Sequence, residues 1–150
     1  MAKLKIVKVG DPVLRGISRP VEKITPRTIQ LLDDMIDTMR AADGVGLAAP
    51  QVGVLRRIVV IETPNEGLIE LINPKIIAFA GEQRSEEGCL SIPGEWGITR
   101  RPAKVTAKAL DRHGNEIIVE GEGLLARAIC HELDHLDGKL FIDIVIEKED

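Results

Sequence analysis

The chain has 150 residues, 44% of them hydrophobic, and a net charge of −4, enough for one domain with a substantial core. The mild acidic balance excludes a broad basic surface for nucleic acid, and no apolar run approaches a membrane span. Two cysteines cannot build a disulfide framework and the first ten residues lack the apolar centre of a signal peptide, so a reducing, cytoplasmic setting is expected.

Residues 4–9 alternate like a short strand and stop at Gly10-Asp11-Pro12. Thr25-Pro26 reads as an N-cap followed by proline at the first helical position. Ile29, Leu32, Met35, Ile36 and Met39 then form one apolar stripe, with Asp33, Asp34, Asp37 and Arg40 expected on the opposite face and Gly44 at the end. Residues 44–53 are small, glycine-rich and almost uncharged, a composition that lets backbone approach a ligand. Gln51 is the polar side chain with reach in that stretch, and the spacing is not that of a phosphate loop.

Residues 57–62 read as a buried strand, and 68–72 and 75–80 as two short strands separated by Asn73-Pro74. Residues 104–110 and 116–119 flank Asp111-Arg112-His113-Gly114-Asn115, a hairpin signal that puts His113 at an exposed tip. A last strand is expected over 140–146, followed by a charged tail over 147–150. With one Trp, two Phe and no Tyr, the core must be built from Ile, Leu, Val and Ala. Short strands before and after two long helices indicate an α+β fold.

The second helix carries the chemistry. Leu124, Leu125, Ala128, Ile129 and Leu133 recur at helical spacing, and Gly138 follows as a stop. Within this helix lies His131-Glu132-Leu133-Asp134-His135. Positions i and i+4 share one helix face, so the two imidazoles stand side by side at the separation one metal ion needs. Glu132 sits off that face, placed to act on a water as a general base.

A catalytic metal usually takes three protein ligands. The metzincin extension is met at Gly138 but fails at Phe141, and the rest of the chain is too short for a downstream glutamate, so the third ligand should come from upstream. The candidates are Cys89, Cys130 and His113. Cys130 lies on the same helix but is turned away from the shared face. Cys89 lies in the small, polar stretch Glu87-Gly88-Cys89-Leu90-Ser91, and the need for a third ligand favours it.

Three stretches together resemble the peptide deformylases: Gly44-Val45-Gly46-Leu47-Ala48-Ala49-Pro50-Gln51, then Glu87-Gly88-Cys89-Leu90-Ser91, then His131-Glu132-Leu133-Asp134-His135, in that family's order and spacing. The resemblance covers nearly the whole chain. It implies strands and hairpins packed around a central metal-bearing helix, in a single catalytic metallohydrolase domain over residues 1–150. It also implies Cys89, His131 and His135 as metal ligands, with Fe(II) usual and Zn(II), Ni(II) or Co(II) able to substitute. By the same resemblance Glu132 is the general base and acid, and Gln51 with the Leu90 N–H stabilises the oxyanion. Gly46 lends backbone contact, and Val45, Glu87, Leu124 and Ala128 bind substrate. The implied substrate is the N-formyl-methionyl start of a new protein, and the implied product is formate. The implied partners are nascent chains and a transient ribosome contact, for a monomer without membrane or direct nucleic-acid recognition.

Cys130 stands where the resemblance implies Gln, and Arg127 where it implies an apolar residue beside the methionine pocket. Trp96 is expected either to line the cleft or to fill the core. Two other readings compete: a small metallopeptidase, and a metal-binding module without activity. The Cys89 motif argues against the first. Glu132 and Gln51, neither needed merely to hold metal, argue against the second. One ion pair is expected: Asp134 with Arg101, clamping the Cys89 segment against the helix.

Overall fold

The computed structural model describes residues 3–148. Its elements are α1 (Pro26–Ala41), β1 (Gly46–Ala48), β2 (Ile58–Thr63), β3 (Gly67–Ala80), β4 (Gln83–Cys89), β5 (Ile92–Arg101), β6 (Lys104–Leu110), β7 (Glu116–Glu122), α2 (Leu124–Leu136) and β8 (Val145–Lys148). Short 3-10 turns occupy Pro12–Arg15, Ala49–Val52 and Phe141–Asp143. The strands form two antiparallel sheets, β1-β2-β3-β6-β7 and β4-β5-β8, which with the two helices give the expected α+β class.

The larger sheet is buried between the helices. Val59 and Ile61 of β2 join Leu125, Ile129 and Leu133 of α2 in one core, while Ile58 and Val60 join Leu32, Met35 and Met39 of α1 in another. A strand covered on both faces has no polar side to show, which is why residues 58–61 are uninterruptedly apolar. A third cluster of Leu14, Ile92, Leu140 and Phe141 ties the N-terminal turn, β5 and the C-terminal segment together.

Helix α1 begins as its sequence dictates. Thr25 Oγ1 accepts from the Thr28 N–H (3.4 Å), and Thr28 Oγ1 accepts from the Thr25 N–H (3.2 Å), a reciprocal cap before Pro26. Asp34 is not on an exposed face as expected. It is buried, and its carboxylate accepts from Gln30 Nε2 at 2.9 Å.

Four other expectations need correction. Residues 4–9 form no strand: Leu4 N–H goes to Thr38 Oγ1, Val7 N–H to Gln51 O and Val9 N–H to Ser91 O, three different elements instead of one ladder. Residues 68–80 are one strand, not two. Asn73 takes a positive φ of 52° at an irregularity in the pairing with β6, and its side chain bonds Val21, so the strand bends without ending. Residues 141–143 are a 3-10 turn capped by Asp143, leaving only the following residues as β8. The tail over 147–150 begins inside β8, and residues 149–150 lie outside the described residues. The hairpin over 111–115 forms as read, with His113 exposed.

Candidate metal centre

Helix α2 puts two imidazoles on one face, and the β4–β5 hairpin brings a thiol to them. The Nε2 atoms of His131 and His135 lie 3.3 Å apart, and Cys89 Sγ lies 3.4 Å from His135 Nε2. The ligand atoms of these three residues all fall within 4.8 Å of one another. His113 is exposed at its hairpin tip and is not part of that group. Cys130 is packed in the α2 core, where burial pushes its thiol up to about 11.

A soft sulfur with two imidazoles is a donor set for zinc or ferrous iron. The electrostatics fit a cation as well. Burial disfavours charge on His131, yet Glu132, Cys89 and Glu87 outweigh it and hold that imidazole well above its ordinary pKa. Burial, aided by His131 and Arg101, pushes His135 down to about 3, so it stays a neutral ligand-type ring. One carboxylate oxygen, Glu132 Oε1, is buried with no partner among the described residues, and the other lies 3.9 Å from His131 Nε2. Burial pushes the Glu132 carboxyl up to about 7, against the pull of His131 and Arg101.

The support behind His131 is built from β4 and β5. His131 Nδ1 donates to Glu87 Oε1 (2.6 Å), which leaves Nε2 to face Cys89 and His135. Glu87 also accepts from Thr99 Oγ1 (2.7 Å) and from Arg101 Nε and Nη2 (3.3 and 2.7 Å). Burial alone would raise the Glu87 carboxyl, but the His131 and Arg101 bonds hold it down at about 2. Arg101 Nη1 reaches Asp134 Oδ2 at 2.6 Å, so the expected clamp forms, with Glu87 as its second and more deeply buried arm. Glu87 borders the cavity, yet both its oxygens are committed to protein donors. Phe141, which stands where a metzincin would have its third histidine, stacks on His131 at a centroid distance of 6.2 Å.

Gln51 is 1% exposed. Its Oε1 accepts from the Ala48 N–H (2.9 Å), which fixes the amide so that Nε2 turns to Ser91 Oγ (3.1 Å) and towards Cys89 Sγ (3.5 Å). Gly46 must lack a side chain: a Cβ there would stand 2.6 Å from Glu132 Oε2. These groups open into a cavity of about 570 Å³, which Val45, Leu124, Ala128 and Trp96 also line. Trp96 is therefore a cleft residue rather than a core one. It is 53% exposed, and its ring lies so close to Gly88 that a Cβ there would meet it at 2.7 Å.

Sequence reasoning missed the connection from Glu87 to His131, the Ser91 hydroxyl behind Gln51, and Phe141. The first two lie in the Cys89 motif, where polar residues flanking a ligand are the available signal. Phe141 carries no such signal.

The polypeptide deformylase family model matches residues 3–150. The peptide deformylase of Carboxydothermus hydrogenoformans is 55% identical over 143 residues, covering 95% of this chain and 93% of that protein. A crystal structure of a peptide deformylase from Legionella pneumophila superimposes with a TM-score of 0.93 at 47% identity, over 96% of this chain and 86% of that one. One from Ehrlichia chaffeensis in complex with actinonin superimposes with a TM-score of 0.95 at 42% identity, over 97% and 90% of the two chains. With the family model matched along nearly its whole length and relatives this similar, the chain belongs to the polypeptide deformylase family.

Proposed function

We infer that the chain hydrolyses the N-formyl amide at the start of nascent polypeptides, releasing formate and a free amino terminus, and that residues 1–150 work as one catalytic metallohydrolase domain. The observation that carries the reading is the meeting of Cys89, His131 and His135 at one cavity with a buried carboxylate, Glu132, beside them. Cys89 Sγ and the Nε2 atoms of His131 and His135 are assigned as ligands of one divalent ion, Fe(II) first, with Zn(II), Ni(II) and Co(II) as substitutes. Such an ion, when bound, lowers the pKa of a water and draws electron density from the formyl group.

The protein's own groups do the rest. Glu132 takes the proton from the attacking water and delivers it to the amine nitrogen as the C–N bond breaks. Its burial, which raises the carboxyl towards neutrality, suits both halves of that task. The Gln51 amide and the Leu90 N–H are assigned to the developing oxyanion, each donor being worth about 3–4 kcal/mol of barrier. The Ala48 N–H holds the Gln51 amide by its oxygen and leaves Nε2 on the side of the Cys89 sulfur.

Gly46 is assigned to the substrate backbone. Strand β1 is an edge strand, and the Val45 carbonyl accepts from the Glu62 N–H of β2 at 2.8 Å. Antiparallel alternation then turns the N–H and C=O of Gly46 outward, where an extended peptide can add. Val45, Leu124 and Ala128 offer apolar surface to the methionine, while Glu87 is assigned to holding His131 rather than to substrate. The enzyme is taken as a cytoplasmic monomer that meets nascent chains with a transient ribosome contact. No helix among the described residues is long and apolar enough to cross a membrane.

Metal content and formate release, measured on anaerobically purified protein with formyl-Met-Ala-Ser and its unformylated counterpart, test the reading. Formate from the first peptide with no cleavage of either backbone is expected. Backbone cleavage, or no formate from metal-loaded protein, refutes it.

A further inference from the structure

Among the charged groups that line the cavity, one that is half-buried is left without a task. Leu124, Arg127, Ala128 and His131 recur at spacings of three and four along α2, and all four line the cavity. Arg127 is half-buried, and among the described residues its guanidinium has neither a hydrogen-bond nor an ion-pair partner. Every other buried or half-buried arginine is paired: Arg101 with Glu87 and Asp134, Arg57 with Asp137, Arg112 with Glu70 and Asp33. A cation that lines a cavity with no anion of its own chain paired to it is placed to receive one from outside the chain.

Distance indicates which part of a substrate would supply that anion. Arg127 lies one helical turn before His131, about 6 Å along the axis. A peptide advances about 3.5 Å per residue, so the residue after the methionine stands one or two such steps from the reacting carbon. An extended arginine side chain has the length to cover that interval, and Arg127 lines the same cavity. The other charges on the cavity rim, Lys8, Asp43, Glu86 and Glu95, are exposed, where water and salt screen them.

We propose that Arg127 is a specificity-determining residue that favours an acidic side chain immediately after the substrate's methionine. The proposal rests on the deformylase reading.

The test compares formyl-Met-Asp-Ala, formyl-Met-Asn-Ala and formyl-Met-Lys-Ala with the metal-loaded enzyme, by formate release at low and high ionic strength. Asp and Asn have the same shape, so their ratio isolates charge. The Asp peptide should exceed the Asn peptide by about fivefold in kcat/KM at low salt, as expected for a partly exposed ion pair. The Lys peptide should fall below both. The difference should reside in KM, shrink with salt, vanish in Arg127→Gln and persist in Arg127→Lys. Equal use of Asp and Asn by the wild type, or a preference that survives in Arg127→Gln, overturns the proposal. Formate from the Asn peptide with no charge preference overturns it alone; no formate from any peptide overturns the deformylase reading and this inference with it.

Discussion

Replacing Arg101 with methionine should be among the most damaging single changes in the chain, although it belongs neither to the three converging ligand residues nor to the cavity lining. Arg101 and Glu87 are 5% and 4% exposed at their side chains, and two of the guanidinium nitrogens bind the Glu87 carboxylate. Without Arg101, a buried carboxylate is left with only Thr99 and His131. Breaking a buried pair in this way costs about 3–5 kcal/mol. At an m-value of about 2 kcal/mol/M, that moves the urea midpoint down by about 2 M. Asp134 is different. Its side chain is 31% exposed, so water replaces part of what Asp134→Asn removes, and about 1 kcal/mol is expected. Arg101→Met, Glu87→Gln, Asp134→Asn and the Arg101→Met/Glu87→Gln double variant should be unfolded in urea with metal bound. The double variant removes both buried charges and should fall short of the sum of the singles by about 2 kcal/mol. Glu87→Gln should also weaken metal retention about 10-fold or more, because the Nδ1 bond that orients His131 is impaired. Additive costs below about 1 kcal/mol for Arg101 and Glu87 would refute the reasoning. So would an Asp134→Asn cost equal to that of Arg101→Met.

Glu132→Ala should keep its metal and lose turnover, read by metal analysis beside formate release; joint loss would make Glu132 a ligand or a structural residue instead. Cys89→Ser should lose metal far more readily than Cys130→Ser, since the Cys89 sulfur converges with the two histidines while Cys130 is packed in the core, and equal loss would overturn that assignment. Gly46→Ala should lower kcat at unchanged metal content, because the added methyl would sit 2.6 Å from Glu132 Oε2 and must displace that carboxylate. Full activity in Gly46→Ala would show that Glu132 can move without consequence.

The parts of the site that were legible in the sequence depend on local geometry. The pairing of His131 with His135 follows from the turn of a helix, and α1 announces itself through Thr25-Pro26 and a repeating stripe. The hairpin at residues 111–115 carries its own turn chemistry. The ion pair of Arg101 with Asp134 was legible because a carboxylate on a mostly apolar helix demands a partner and few cations were near. The more deeply buried acid on Arg101 is Glu87, a partner the sequence reading did not connect to it.

Other features depended on partners remote in the chain. Residues 83–89 are polar and show no alternation, so the β4–β5 hairpin that delivers Cys89 has no periodic signal; its backbone pairing and the inward burial of Glu87 define it. Residues 4–9 alternate as a strand should, but three surrounding elements capture their donors separately and no ladder forms. Local spacing, then, determined the two-histidine face, the base beside it and the family motifs. Only the tertiary structure decided that Glu87 orients His131 across 44 residues, that Trp96 lies in the cleft and that Arg127 meets the cavity with no side-chain partner among the described residues. Helical periodicity is written into consecutive residues, whereas the destination of a charged side chain depends on which distant backbone folds against it.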